Sequence, residues 1–239
     1  MIFKRGVSSS EVDSLREEIA SLREEVATLR RQNIKMPDRV ADAVQPVVEL
    51  SKLSSALLPP VSFGGYSLTS SAALKLVRTV VERRPRNILE FGTGQSTAWM
   101  ARLLADVGYG RLVSLEDDPE YYESIGKELE SLPGFGHLEL RLAGLKPLES
   151  GELWYDPSTL EDIADVDFLV IDGPSDRSAR RPTFEQVVSK LVPGCDILID
   201  DVHTPDMKKL VGEWLEDHPL DVVDANWRRE RLLHLRLQN

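Results

Sequence analysis

Residues 10 to 36 carry apolar side chains at positions that repeat every seven residues. The two rows of this repeat are Val12, Ile19, Val26 and Asn33, and Leu15, Leu22, Leu29 and Met36. β-Branched residues in one row and leucine in the other are typical of a parallel two-stranded coiled coil, whose register a buried Asn33 would fix. The charged flanks are Arg16, Arg23 and Arg30 on one side and Glu18 and Glu25 on the other. The pattern predicts a parallel homodimer; the alternative is a lone amphipathic helix packed on its own domain.

Prolines and glycines divide the chain after this repeat. Pro37 ends the predicted helix, and Pro59-Pro60 and Gly64-Gly65 break or bend the backbone further on. The stretch between these breaks is predicted to be a second helix or an irregular linker. Three parts follow: an N-terminal coiled coil over residues 1–36, a linker or helix over 37–60, and a folded domain over 61–239.

Within that domain, short apolar runs alternate with longer segments whose apolar residues recur at helical spacing. The predicted strands cover residues 87–91, 111–115, 137–142, 168–172, 196–199, 220–223 and 232–237. The predicted helices cover residues 68–84, 96–107, 119–132, 183–191 and 205–217. Strands that alternate with helices predict an α/β fold with a doubly wound, mostly parallel seven-stranded sheet. The last two strands, with little between them, predict an antiparallel hairpin at one edge.

The segment from Ile88 to Thr97 joins an apolar strand, an acidic residue, a Gly-x-Gly turn and a helix. Its glycines, Gly92 and Gly94, let the backbone turn sharply and approach a ligand closely. A nicotinamide-binding fingerprint would have a third glycine where Thr97 stands. Glu90, the acid before the turn, suits a cofactor that carries an ammonium and a cationic sulfur.

A second acidic segment, Glu116-Asp117-Asp118, ends the predicted strand 111–115. An acid at this place can accept the two ribose hydroxyls of an adenosine, and Glu116 is the candidate. Asp118 is predicted to cap the next helix.

Three further acids follow two apolar strands: Asp172 after the first, and Asp200 and Asp201 after the second. Ligands of open α/β sheets bind outside the carboxyl ends of the strands, and carboxylates gathered there suit Mg²⁺ or Mn²⁺. The alternative is that one acid caps a helix and another pairs with an arginine. The candidate arginines are Arg177, Arg180 and Arg181.

Composition narrows the class of partner. The net charge of −11 and the sequence pI near 4.9 argue against nucleic acid and against an anionic membrane surface, so a small-molecule substrate is favoured. The single cysteine, Cys195, allows no intramolecular disulfide and predicts a buried thiol in a reducing, cytoplasmic compartment. No run of about eighteen apolar residues predicts a membrane span. The charged N-terminus does not resemble a secretory signal.

From about Phe63 to Leu215 the chain resembles class I S-adenosylmethionine-dependent methyltransferases, and within them the small bacterial group called the family-24 methyltransferase domain. The strand, acid and glycine turn carry this resemblance, and so does the entry segment from Gly64 to Ser70. The resemblance implies a Rossmann-like methyltransferase fold over the domain 61–239. It implies that Glu90, Gly92 and Gly94 surround the methionine part of the cofactor, that Ser96 helps bind its carboxylate, that Glu116 binds its ribose, and that Ala143 lies near its adenine.

Catechol-type and macrolide-sugar O-methyltransferases have a similar pattern of one acid and then an acidic pair, which hold a divalent cation. The resemblance therefore implies Mg²⁺ or Mn²⁺ on Asp172, Asp200 and Asp201, with Asp172 also facing the cofactor and the reaction. The lysine that follows the first acid in the catechol-type enzymes is missing here, and His203 is the nearest substitute as catalytic base.

The sequence thus predicts methyl transfer from S-adenosylmethionine to a hydroxyl of a small molecule, either a sugar or glycan precursor or a natural product. Two alternatives stay open: a dinucleotide-dependent oxidoreductase, and a non-catalytic dimeric adaptor on a methyltransferase-like fold. Thr97 and Glu90 argue against the first. The intact glycine turn and the acids argue against the second.

Overall fold

The computed structural model describes residues 23–24, 44–50, 68–131, 135–224 and 231–238. Arg23, Glu24 and residues 44–50 are helical. Apart from those two residues, the predicted coiled coil over 10–36 lies outside the described residues, so the homodimer stays a prediction, as do the boundaries at 36 and 60. The chain divides into two units, Met1–Pro46 and Val47–Asn239, and the fold given below is that of the second.

From residue 68 onward, the described residues form nine strands and five α-helices. The strands are β1 Asn87–Phe91, β2 Arg111–Glu116, β3 Leu138–Leu142, β4 Leu145–Pro147, β5 Leu153–Tyr155, β6 Val166–Ile171, β7 Leu191–Ile199, β8 Leu220–Asp224 and β9 Leu233–Leu237. The helices are α1 Ser70–Arg83, α2 Gln95–Val107, α3 Pro119–Glu130, α4 Thr183–Val187 and α5 Pro205–Asp217. No helix in the described part of the chain is long and apolar enough to cross a membrane.

Seven of these strands form one sheet in the order β3-β2-β1-β6-β7-β9-β8. The first five are parallel to one another, and β9 runs antiparallel to both β7 and β8. Crossovers on either side of β1 make the sheet doubly wound, as the sequence predicted. The closing strands do form an antiparallel hairpin at one edge, but β9 is inserted between β7 and β8, so the edge strand is β8.

Each face of the sheet is covered by its own hydrophobic core, as central parallel strands require. On one face α1 and α2 bury Leu76, Trp99 and Met100 against the sheet. On the other face Phe184 and Trp214 pack from α4 and α5. The central strands therefore cannot shift, and the loops at their carboxyl ends are held in fixed positions.

The segment between β3 and β6 differs from the prediction, which left it without structure. It contains the two-stranded antiparallel hairpin β4–β5. Trp154 and Tyr155 on β5 are fully buried and pack against Phe91 of β1, with ring centroids 5.5 and 5.2 Å from it. Three-residue strands are too short for a periodic pattern, so tertiary packing rather than local sequence forms this hairpin.

Candidate active site

The predicted site residues gather at the carboxyl ends of four adjacent parallel strands. Glu90 lies in β1, Glu116 ends β2, Asp172 follows β6, and Asp200 follows β7. Because β1 is flanked by β2 and β6, the crossovers leave on opposite sides there, which opens a crevice of the kind that binds ligands in doubly wound sheets.

Glu90 lies beneath the glycine turn, where no part of its side chain reaches solvent. Three hydroxyls donate to its carboxylate: Ser96 to Oε1 at 2.5 Å, and Thr97 and Ser114 to Oε2 at 2.6 and 2.8 Å. The Thr97 oxygen also accepts from the Gly94 N–H at 2.9 Å. Glu90 therefore links the Gly-x-Gly segment to the start of α2 and to β2, and these hydrogen bonds stabilise the segment. The Ser96 hydroxyl is bound to Glu90, and the role of Ser96 in binding a cofactor carboxylate stays a prediction.

Burial raises the pKa of Glu90 from its ordinary value of 4.5 to about 7, against the opposing effect of the three hydroxyls. A folded-state pKa above the unfolded value means that the native state binds more protons between about pH 4.5 and 7. Stability from this group is therefore fully present below that window and falls as the pH rises through it.

We predict that Glu90→Gln flattens the pH dependence of stability. The amide keeps the shape and can still hydrogen-bond to hydroxyls, but it cannot ionise. Relative to the wild type, the variant should gain on the order of 3 kcal/mol between pH 5 and pH 8, at about 1.4 kcal/mol for each unit of pKa shift. Urea unfolding at both pH values measures this gain. The exposed Glu120→Gln is the matched control, and parallel pH profiles for Glu90→Gln and wild type would contradict the prediction.

The turn itself is closed by a very tight contact between two glycines. Gly92 has a φ of +92°, and an added Cβ there would lie 2.5 Å from the Gly173 nitrogen. An added Cβ on Gly173 would lie 2.3 Å from the Tyr155 hydroxyl. That hydroxyl is buried and has no hydrogen-bond partner among the described residues. Gly92, Gly173 and Tyr155 therefore fit together only without side chains at the two glycines.

Gly94, in contrast, has open space around it. Its φ of 179° is ordinary extended backbone, and an added Cβ would meet only the Tyr121 hydroxyl, at 3.8 Å. Gly94 immediately precedes Gln95, where α2 begins, and the first N–H groups of a helix have no partner within it. The start of α2 therefore presents open backbone donors to the crevice beside the half-exposed ring of Tyr121.

Glu116 is oriented by the backbone before any ligand arrives. Its Oε1 accepts the N–H groups of Asp117 and Asp118 at 3.0 and 2.9 Å, and its Oε2 accepts the Thr93 N–H at 3.3 Å. A carboxylate has about four acceptor positions, so one position on Oε2 stays open for a ligand. Asp118 caps α3 by accepting the Tyr121 N–H at 2.8 Å, as predicted. Ala143 is buried just after β3.

The three acids predicted to hold a metal do not share one set of partners. Burial raises the pKa values of Asp172 and Asp200; the charges of Asp200 and Asp201 raise that of Asp172 further, and the charge of Asp201 raises that of Asp200. Asp201, with a φ of +62°, binds arginines instead: its Oδ2 lies 3.0 Å from Arg177 Nε and 3.5 Å from Arg180 Nη1. This is the alternative that the sequence left open.

The donor set therefore does not fit a divalent cation. The described residues contain no group of three or more His, Cys, Asp or Glu side chains that could hold a metal. In addition, one oxygen of Asp201 is bound by cations of the protein itself, so fewer oxygens of Asp172, Asp200 and Asp201 are free for a metal. His203, the predicted base, is exposed, and its charge acts on Asp200.

Several residues of the site were not predicted. The hydroxyls of Thr93 and Ser114 form a buried chain to Glu90, with 2.9 Å between them. The Tyr121 hydroxyl lies beside Gly94, and the Tyr155 hydroxyl lies beside Gly173. Tyr121 could have been inferred from its position at the start of α3, three residues after the cap. Tyr155 could not, because the hairpin that carries it has no local signature.

Comparison with known proteins found a matching family model and several similar solved structures. Residues 89–202 match the family described as "Methyltransferase domain". No curated protein matches the sequence.

Several solved structures share the fold. An O-methyltransferase from Bacillus cereus, solved with SAH, is 20% identical, covers 79% of this chain and 96% of its own, and has a TM-score of 0.57. The O-methyltransferase TomG from Streptomyces achromogenes, solved with SAM, is 20% identical over 83% of this chain and 88% of its own, with a TM-score of 0.54. A SAH-bound methyltransferase from Podospora anserina is 16% identical over 86% of this chain and 96% of its own, with a TM-score of 0.58. At these identities the likeness shows the fold, which confirms the predicted Rossmann-like sheet, and residues 89–202 are similar to the methyltransferase domain family.

Proposed function

We propose that this protein transfers the methyl group of S-adenosylmethionine to a hydroxyl oxygen of a small molecule. The observation that carries the proposal is that the open space at Gly94, in the Gly92–Gly94 turn, lies beside the oriented carboxylate of Glu116 on the next strand. The family match supports methyl transfer. The similar structures from Bacillus and Streptomyces, O-methyltransferases bound to SAH and SAM, support the cofactor and the oxygen acceptor.

The charges of the site suit this cofactor. Burial removes part of the hydration that would stabilise the ionised carboxylates, and it therefore raises the pKa values of Glu90, Glu116, Asp117 and Asp172. A cationic sulfonium beside such acids favours their charged forms. The pyrophosphate of a dinucleotide would add two negative charges to the same space, so the oxidoreductase alternative is disfavoured.

Within the cofactor site, each predicted residue has a distinct task. Glu116 would accept a ribose hydroxyl at its open Oε2 position. The backbone N–H of Ser96 would meet the carboxylate of the methionine part, with Gly94 beside it, and Ala143 would lie beside the adenine. Glu90 would keep the turn in place rather than touch the cofactor. Gly92 would let the turn close against Gly173.

In the transfer step, an acceptor oxygen attacks the methyl carbon in line with the sulfur. The new C–O bond forms as the C–S bond breaks, and the sulfur keeps the electron pair of the broken bond. The hydroxyl proton passes to the Asp172 carboxylate, whose raised pKa makes it a stronger base than an ordinary aspartate. His203 is the alternative acceptor of this proton from the exposed side. Positioning of the two reactants supplies much of the acceleration.

Titration calorimetry with S-adenosylhomocysteine and with NAD tests the cofactor. We expect S-adenosylhomocysteine to bind and NAD not to bind. Glu116→Ala should weaken S-adenosylmethionine binding by roughly 1–3 kcal/mol, the cost of a lost charged hydrogen bond. Glu120 is exposed in the first turn of α3, so Glu120→Ala is the matched control and should bind as wild type does. Preferential NAD binding would overturn the proposal, and unchanged affinity in Glu116→Ala would remove that residue from the site.

The acceptor is proposed only as a class, a hydroxyl of a sugar or glycan precursor or of a natural product. Turnover of S-adenosylmethionine with fractions of a metabolite extract would identify it. A chain that binds S-adenosylhomocysteine yet turns over no fraction would favour the non-catalytic adaptor.

Two further parts of the proposal rest on the sequence alone. The heptads over residues 10–36 support a parallel homodimer with the catalytic domains carried behind it. The single cysteine supports a cytoplasmic location.

A further inference from the structure

Arg180 is a buried cation among the acids at the carboxyl ends of β6 and β7. Its residue surface is 3% exposed. Its Nε donates to the Pro174 carbonyl at 2.8 Å, and its Nη1 lies 3.5 Å from Asp201 Oδ2. Its Nη2 makes no hydrogen bond within the described part of the chain. A guanidinium is rarely buried so completely unless nearby acids compensate its charge.

The charge of Arg180 acts on acids that follow three strands of the sheet. Burial raises the pKa values of Asp117, Asp172 and Asp200, and the charge of Arg180 opposes that rise at all three. These residues follow three different strands, β2, β6 and β7. A single side chain thus acts on acids that come from across the crevice.

The local backbone brings a second arginine to the same carboxylate. Residues Arg177–Arg180 form a short 3₁₀ helix, which Asp176 begins by accepting the Ser178 N–H at 2.9 Å. Side chains three positions apart on a 3₁₀ helix lie on the same side, so Arg177 and Arg180 both reach Asp201. Both approach its Oδ2, so that oxygen is already bound by cations.

We propose that Arg180, assisted by Arg177, is the resident cation of this site and stands in place of the divalent metal that the acid pattern implied. The guanidinium neutralises the acids and occupies one carboxylate oxygen of Asp201. The acceptor then meets a hydrogen-bond donor rather than a Lewis acid. Because an arginine stays charged at every ordinary pH, this neutralisation does not depend on metal supply or on acidity. The effect on the acceptor rests on the proposed function, whereas the exclusion of metal does not.

Manganese binding tests the proposal without knowledge of the acceptor. Free Mn²⁺ is counted by its electron paramagnetic resonance signal in titrations of the full chain. We expect wild type to bind Mn²⁺ no tighter than about 1 mM, the weak end of protein sites built from oxygen ligands. Arg180→Gln keeps a donor for the Pro174 carbonyl but removes the charge, so it should bind Mn²⁺ at least about tenfold more tightly. Arg180→Lys should exclude Mn²⁺ as wild type does.

Arg181→Gln is the matched control, since it removes the same charge from the neighbouring position. Arg181 pairs with Glu152 and Glu213, away from the cluster, so its loss should leave Mn²⁺ binding unchanged. Arg177→Gln, at an exposed position, should show a smaller gain and replaces Arg180→Gln if that variant does not fold. Thermal melting and S-adenosylhomocysteine binding are measured on every variant.

Two results would overturn the proposal. One is stoichiometric Mn²⁺ binding by wild type at micromolar concentration that Asp201→Asn removes. The other is a folded Arg180→Gln, or a folded Arg177→Gln in its place, that binds Mn²⁺ no more tightly than Arg181→Gln does. Failure of wild type to bind S-adenosylhomocysteine would count against the proposed function alone, because the manganese comparison is made without cofactor.

Discussion

Gly92→Ala is expected to lower the free energy of unfolding by roughly 2–5 kcal/mol. A non-glycine residue in the left-handed region, where Gly92 has a φ of +92°, costs about 1–2 kcal/mol. The new methyl group would also lie 2.5 Å from the Gly173 nitrogen and 2.9 Å from its Cα, and overpacking costs about 1–3 kcal/mol. The atoms it meets are backbone atoms between two central strands, so neither can move aside easily. Urea unfolding at pH 7 measures the loss.

Gly94→Ala separates the structural use of a glycine from its use in binding. Its added methyl group has open space and an ordinary backbone angle, so stability should change by less than about 1 kcal/mol. The methyl group would nevertheless occupy the space where a ligand approaches the turn, so S-adenosylhomocysteine should bind at least about tenfold more weakly, a loss of about 1.4 kcal/mol. A Gly92→Ala protein as stable as wild type would contradict the close contact with Gly173. Unchanged binding by Gly94→Ala would place the ligand elsewhere.

The sheet could be predicted from the sequence because its central strands are buried on both faces. The runs at Ile88–Phe91 and Phe168–Ile171 are nearly all apolar, and no other element type accounts for such short runs between glycine-rich turns. The first glycine of the Gly-x-Gly turn could be predicted because the backbone geometry at Gly92 excludes other residues. In both cases a local pattern and the tertiary environment demand the same residue types.

Strand β7 shows where local signals mislead. The Pro193-Gly194 pair is typical of a turn, and the strand was therefore predicted to begin at Asp196. In the structure β7 begins at Leu191, and a register shift opposite Val166 accommodates the pair. The sheet partner β6 keeps the strand paired across residues that would break an isolated one.

The described residues contain no metal-binding group of three acids, and the reason differs from that for β7. The acids Asp172, Asp200 and Asp201 were placed correctly at neighbouring strand ends, but a strand end fixes only the start of a side chain. The left-handed backbone at Asp201 and the reach of the 3₁₀ helix decide which partner its carboxylate meets. Neither feature follows from spacing along the sequence. The sequence could name the arginines as an alternative, but it could not choose between them and a metal.

Asp196 lies in β7 between Phe168 of β6 and Arg236 of β9, and its carboxylate is central to a buried charge network that no sequence pattern predicts. Its side chain is 2% exposed. Its Oδ1 accepts His234 Nε2 at 2.8 Å and Arg236 Nη2 at 2.7 Å, and its Oδ2 pairs with Arg83. Arg236 is its cross-strand partner on β9, so the network fastens the inserted last strand to the parallel part of the sheet. Although burial opposes it, the hydrogen bonds from His234, Arg236 and Arg83 hold the pKa of Asp196 below its ordinary value.

Asp196→Asn is therefore expected to lower the free energy of unfolding by about 3 kcal/mol, since removal of one member of a buried ionic network typically costs about 3–5 kcal/mol. The value lies at the low end because Arg83 and Arg236 are partly exposed and can turn to solvent. A depressed folded-state pKa gives stability that is present above the unfolded pKa and is lost as the pH falls through the folded pKa. The variant should therefore lose most relative to wild type near neutral pH and least in acid, which urea unfolding at pH 7 and at pH 3 would measure. Arg83→Met is the matched control, because it leaves Arg236 and His234 on Asp196 and should cost about 1 kcal/mol. An equal loss at both pH values would mean that Asp196 contributes by shape and neutral hydrogen bonds, and not by its charge.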